Sequence, residues 1–177
     1  MRRFKLPTFA CLLAAAMLLA VSSTAQEPVS GFETFTSEQF GIEFTYPTIW
    51  EKMPTLKAED LFIAQSPGKM TGVFVYVNND KQHSAESLDT LASTLPEQIT
   101  NQPGGKLVEA ERPGICGSKA VSIKYEIVNE AGKLHGQVLI VLNRGSLINF
   151  NFFTNDLVAR YDKAVIANVI STIHCND

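Results

Sequence analysis

Three strand-like runs joined by very short turns constrain this chain more than any other feature. Val121, Ile123, Tyr125 and Ile127 alternate with Ser122, Lys124 and Glu126, the period of a strand with one apolar face. Asn129-Glu130-Ala131-Gly132 is a turn in which glycine is available for the left-handed position. A second run occupies 134–142, Asn143-Arg144-Gly145 is the next turn, and a third run occupies 147–153. A parallel crossover needs about a dozen residues or more, so connections this short force antiparallel pairing.

The remaining segments extend the same pattern. Phe40, Ile42, Phe44 and Tyr46 alternate with small or polar residues, and Pro47, which has no N–H to donate, ends that strand. Trp50 follows in the turn. Residues 61–65 form a short strand, Ser66-Pro67-Gly68-Lys69 a turn, and Val73-Phe74-Val75-Tyr76-Val77 a strand that suits cover on both faces. Leu88, Leu91, Ala92, Leu95 and Ile99 recur at helical spacing, with Ser84 or Ser87 as cap and Pro96 as a kink or restart. Gln102-Pro103-Gly104-Gly105 ends that segment. A second helix is expected over 156–173, with Val158, Tyr161, Val165, Val169, Ile170 and Ile173 as its apolar stripe and Thr154 or Asn155 as its cap. The order β-β-β-α-β-β-β-α predicts an α+β fold: a central antiparallel sheet of about six strands with helices packed on it. Residues 35–177 make one domain, preceded by a flexible lead-in over 26–34.

The N-terminus sets the compartment. Arg2, Arg3 and Lys5 precede an unbroken apolar run of 13 residues, and Ser23-Thr24-Ala25 places small residues before Gln26. This is the layout of a secretory signal over 1–25, cleaved between Ala25 and Gln26. A bilayer span needs about 20 residues, so a retained anchor is the weaker reading. Residues 1–25 contain three basic and no acidic side chains. The mature chain therefore carries 12 Lys and Arg against 18 Asp and Glu, a net charge of −6. That balance disfavours nucleic acid and simple adhesion to anionic lipid. No stable membrane insertion is expected once the signal is gone. The product is periplasmic in a double-membraned bacterium and secreted otherwise. Of three cysteines, Cys11 leaves with the signal; Cys116 and Cys175 remain. In an oxidising compartment the pair reads as a structural disulfide, worth about 4 kcal/mol at most by chain entropy. A redox pair is usually close in sequence as C-x-x-C, and two free thiols are the other alternative.

Reactive motifs fail on inspection. Ser66 and Lys69 match S-x-x-K but lie in a Pro-Gly turn. Gly68-Lys69 lacks the first glycine and the hydroxyl residue of a phosphate loop. His83, His135 and His174 have no second ligand at metal spacing. Asn78-Asn79-Asp80-Lys81 holds one carboxylate beside a lysine, a polar turn more than a cation site. Asn149 and Asn151 share a strand face; they line a pocket if that face is buried and are ordinary surface residues if it is exposed, and exposure or partial cover is the favoured reading.

Phe40-Gly41-Ile42-Glu43-Phe44-Thr45-Tyr46-Pro47-Thr48-Ile49-Trp50 resembles the opening strand and turn of the PsbP-like family, with its Tyr-Pro and nearby Trp. The Ser87-Leu88 helix start, the three-strand meander and the closing helix with Tyr161 extend the resemblance over about 36–174. It implies an α/β/α sandwich and a protein that acts by binding other proteins, and the small exported bacterial members of the DcrB type are the nearer comparison. The expected function is thus a non-enzymatic, exported domain that binds or helps assemble an envelope protein. It needs no cofactor and no metal. Tyr46, Trp50, Asn149 and Asn151 are the candidate contact residues. The rival readings are a binder of a small apolar ligand between sheet and helix, and a hydrolase with an unrecognised site.

Overall fold

A computed structural model describes residues 31–78 and 82–176. The signal segment with its Ala25/Gln26 junction, residues 26–30 and residues 79–81 of the polar loop lie outside the described residues. The elements are β1 Phe32–Ser37, β2 Ile42–Pro47, β3 Glu51–Lys52, β4 Asp60–Gln65, β5 Thr71–Asn78, α1 Ala85–Thr100, β6 Gly105–Glu111, β7 Ala120–Asn129, β8 Gly132–Asn143, β9 Ser146–Asn155, α2 Ala159–Ser171 and β10 His174–Cys175. Seven strands form one sheet in the order β3-β4-β5-β9-β8-β7-β6, and β1-β2-β10 form a second, smaller one. All pairings are antiparallel. The expected meander is β7-β8-β9, and its β8–β9 turn places Arg144 and Gly145 at φ 47° and 74°, the left-handed pair of a tight hairpin.

The large sheet has two differently covered faces. Register runs Val75 to Phe150 to Leu139 on the first. With Phe62, Val73, Ile148 and Phe152, these bury against β2 (Ile42, Phe44, Tyr46) and α2 (Ile166, Val169). On the second face, Val121, Ile123, Ile140 and Leu147 bury against Leu88 and Ile99 of α1. The architecture is therefore a large antiparallel sheet with two helices packed on it, as expected.

Several details differ from the sequence reading. The 26–34 lead-in was expected to be flexible, but β1 begins at Phe32 because its backbone pairs with β2 from Phe32–Pro47 onward. The opening strand, β2, belongs to the small sheet and not to the central one. α1 runs uninterrupted through Pro96; a proline there forgoes one backbone bond without ending the helix, since packing on β6 and β7 holds both halves. β5 buries Val73, Val75 and Val77, whereas Phe74 and Tyr76 on its other face are only half-buried, because α1 lies over β6–β8. α2 starts three residues later than expected, after Val158, without a side-chain cap. Its face is also turned: Tyr161 is 74% exposed and Asp162 is buried.

Candidate functional site

A concave feature lies beside α2. The Asp162 carboxylate accepts a hydrogen bond from the Thr71 hydroxyl on β5, which in turn is 2.9 Å from the Thr154 hydroxyl on β9. A buried carboxylate is costly unless it is hydrogen-bonded, so this link fixes both the position and the roll of the helix. The helix then covers the β5–β9 side of the first face and stops short of β6–β8. There the outward residues are Lys124, Glu126, His135 and Gln137, whose polarity suits open water. A groove of about 270 Å³ remains between this polar strip and the α2 flank of Lys163, Ile166 and Ala167. Val108 forms the far lip. It is the extra residue where the β6–β7 register slips between Leu107 and Glu109, and it is 55% exposed.

Most charges in the groove are already compensated. Lys124 Nζ lies 2.6 Å from Glu109 and 3.5 Å from Glu111. The Glu109 hydrogen bond is the main reason its ammonium is held above the usual lysine range. His135 Nε2 is 2.7 Å from Asp156 and its Nδ1 is 3.3 Å from Glu126. Lys133 lies 3.7 Å from each of the same two carboxylates. The hydrogen bond from His135 holds the Asp156 carboxyl below its ordinary range. Lys163, by contrast, has no carboxylate at ion-pair distance among the described residues. Both His135 nitrogens face carboxylates. Among the described residues no three His, Cys, Asp or Glu side chains are disposed to hold a metal, and no helix is long and apolar enough to cross a membrane.

The sequence-derived candidates lie elsewhere. Cys116 and Cys175 are joined by a disulfide, with Cα atoms 5.2 Å apart. Trp50 is 5% exposed and belongs to the main core. The Tyr46 ring is equally buried, but its hydroxyl emerges to donate to Glu33 at 2.5 Å, with Lys52 3.1 Å from Glu33 and 5.2 Å above the ring. Burial and the Glu33 hydrogen bond push the Tyr46 phenol upward, away from the phenolate that base catalysis would need. Asn149 and Asn151 do share a face, the second one. Asn149 is buried, contrary to the exposed or partly covered face expected for it, because α1 covers this side of the sheet; its amide donates to the Leu147 carbonyl at 3.2 Å. Asn151 is half-buried on the same face as Tyr76, whose phenol is pushed upward chiefly by burial. The candidates on β2 and β9 thus stand on opposite faces of the sheet and do not converge. Of the groove residues, Lys124 and Glu126 were visible as the polar side of the β7 alternation and His135 as a histidine with no second ligand at metal spacing. Nothing in the pattern showed that α2 would stand beside them.

An antiparallel sheet flanked by α1 on one face and by α2 with a small second sheet on the other defines an α+β sandwich. A model of the PsbP family matches residues 30–175, and the chain belongs to that family. The fold is similar to the solution structure of cyanobacterial PsbP (CyanoP) from Synechocystis sp. PCC 6803, with TM-score 0.61 and 16% identity over 88% of this chain and 99% of that one. It is also similar to LpqN, involved in cell envelope biogenesis of Mycobacterium tuberculosis, with TM-score 0.56 and 12% identity over 77% and 83% of the two chains. The Ran-binding protein Mog1p of Saccharomyces cerevisiae gives TM-score 0.53 and 8% identity over 83% and 96%. No curated protein sequence matches the chain.

Proposed function

We propose that this chain is an exported, non-enzymatic domain that binds or helps assemble a protein of the cell envelope. The open groove beside α2 carries the reading. It combines an apolar lip and wall with charges that, Lys163 apart, are largely paired. At about 270 Å³ the groove falls below the roughly 300–1,000 Å³ usual for small-molecule pockets and is open along one side. That favours a protein segment over a small apolar ligand. LpqN's stated involvement in envelope biogenesis and Mog1p's stated binding of Ran support the same class of role. The basic, apolar and small-residue layout of 1–25 supports export. A photoreactive residue at Val108 of the full-length chain, activated in the cells it comes from, is expected to give a protein adduct. A co-purifying small molecule with no protein adduct would overturn the proposal.

A further inference from the structure

We infer that the groove beside α2 takes an extended, acidic–apolar segment of the partner, with a carboxylate set against Lys163 and an apolar side chain against Val108, Ile166 and Ala167. This rests on the protein-binding reading above and names the chemistry of what is bound. The charge pattern carries it. Of the two lysines lining the groove, Lys124 is held by Glu109 and Glu111, while Lys163 faces no carboxylate among the described residues. Arg160, one turn earlier on α2, is exposed and likewise has no carboxylate partner among them. The flank of α2 is therefore a cationic ridge on a domain of net acidic charge. The opposite lip has the reverse balance, two glutamates to one lysine. A bound segment is oriented by that asymmetry, its acidic side toward α2. Shape supplies the second contribution. The β6 bulge holds the Val108 side chain in solvent at one edge, and at the other the small, exposed Ala167 stands beside the nearly buried Ile166. An apolar side chain entering between the two edges removes their exposed surface from water. Nucleic acid does not fit, because Glu109, Glu111 and Glu126 would face its phosphates.

The test uses isotope-labelled exported protein and two blocked peptides, Leu-Leu-Glu-Leu-Leu-Gly and its Glu→Gln counterpart, read by amide chemical shifts. The Glu peptide is expected to shift Val108, Lys163 and Ala167. The Gln peptide should bind about three- to five-fold more weakly, as one partly exposed ion pair dictates. Lys163→Gln, an exposed change that leaves the melt unaltered, should erase that difference. Equal affinity of the two peptides within the groove would overturn the charge assignment while leaving a protein-binding groove in place. Shifts centred on Phe74 and Tyr76 would overturn the site itself. Inorganic phosphate reproducing the Glu-peptide shifts would overturn the peptide as occupant.

Discussion

Trp50 and Gly136 show how single residues are held in this fold by opposite means. Trp50 lies in the turn after β2, with its backbone N–H donating to the Pro47 carbonyl at 3.0 Å and its ring in the main core. Trp50→Ala leaves a cavity that a sheet-backed core cannot collapse into, and it should lower stability by about 3–5 kcal/mol in a urea titration. An unchanged midpoint would show that the ring is not packed. Gly136 is constrained by what leans on it. It faces Tyr125 across the β7–β8 ladder, and the space a Cβ would take is filled by the Tyr125 ring. Gly136→Ala should cost about 1–3 kcal/mol by overpacking. Combined with Tyr125→Ala, it should cost less than the two single changes summed, because the clash is gone. Strict additivity would show that the ring does not rest on the glycine.

Among the elements, β10 has the least to hold it. It is two residues long, pairs with Ile42 and Glu43 of β2, and is tied by Cys175 to Cys116 in the loop before β7. Converting both cysteines to serine should lower stability by about 2–4 kcal/mol. It should also raise hydrogen exchange at Ile42 and Asn176, the amides nearest the released end. A melt unaffected by reductant would contradict this. The elements legible in the sequence were those with a clear period, β2, β7, β8, β9 and α1, and the apolar runs bounded by turns, β4 and β5. Those that were missed had none. β1 offers only Phe32 and Phe35, β3 and β10 are two residues each, and β6 carries Lys106, Glu109 and Glu111 around a bulge that breaks its alternation. α2 was legible as a helix but not in its roll. The roll depends on the buried Asp162–Thr71 hydrogen bond, and hydropathy reading places aspartate outside. The groove depends on that roll, so the pattern that revealed β7's polar side did not reveal a site.

Across the whole molecule, charge sets the limits of stability at both ends of the pH scale. Glu33 is held below the usual carboxylate range, first by the hydrogen bond from Tyr46 and then by Lys52; Asp156 is held low by His135. A group whose folded pKa is depressed stabilises above its unfolded pKa, and the contribution is lost as pH falls through the folded value. Stability should therefore decline below roughly pH 4.5. Glu33→Gln should flatten part of that decline, though only modestly, since Glu33 and Lys52 are both about half exposed and solvent screens them. At the alkaline end, Tyr46, Tyr76 and Tyr125 are all pushed upward, chiefly by burial. Their contribution is complete below the unfolded value of about pH 10 and is lost as pH rises through the higher folded values, because only the unfolded chain ionises readily there. Urea midpoints measured across pH should show a plateau bounded by these two declines. Tyr76→Phe should shrink the alkaline one, since it removes a buried phenol that must stay neutral. A midpoint falling through neutral pH would instead place the controlling proton on a histidine and refute the assignment to these carboxyls and phenols.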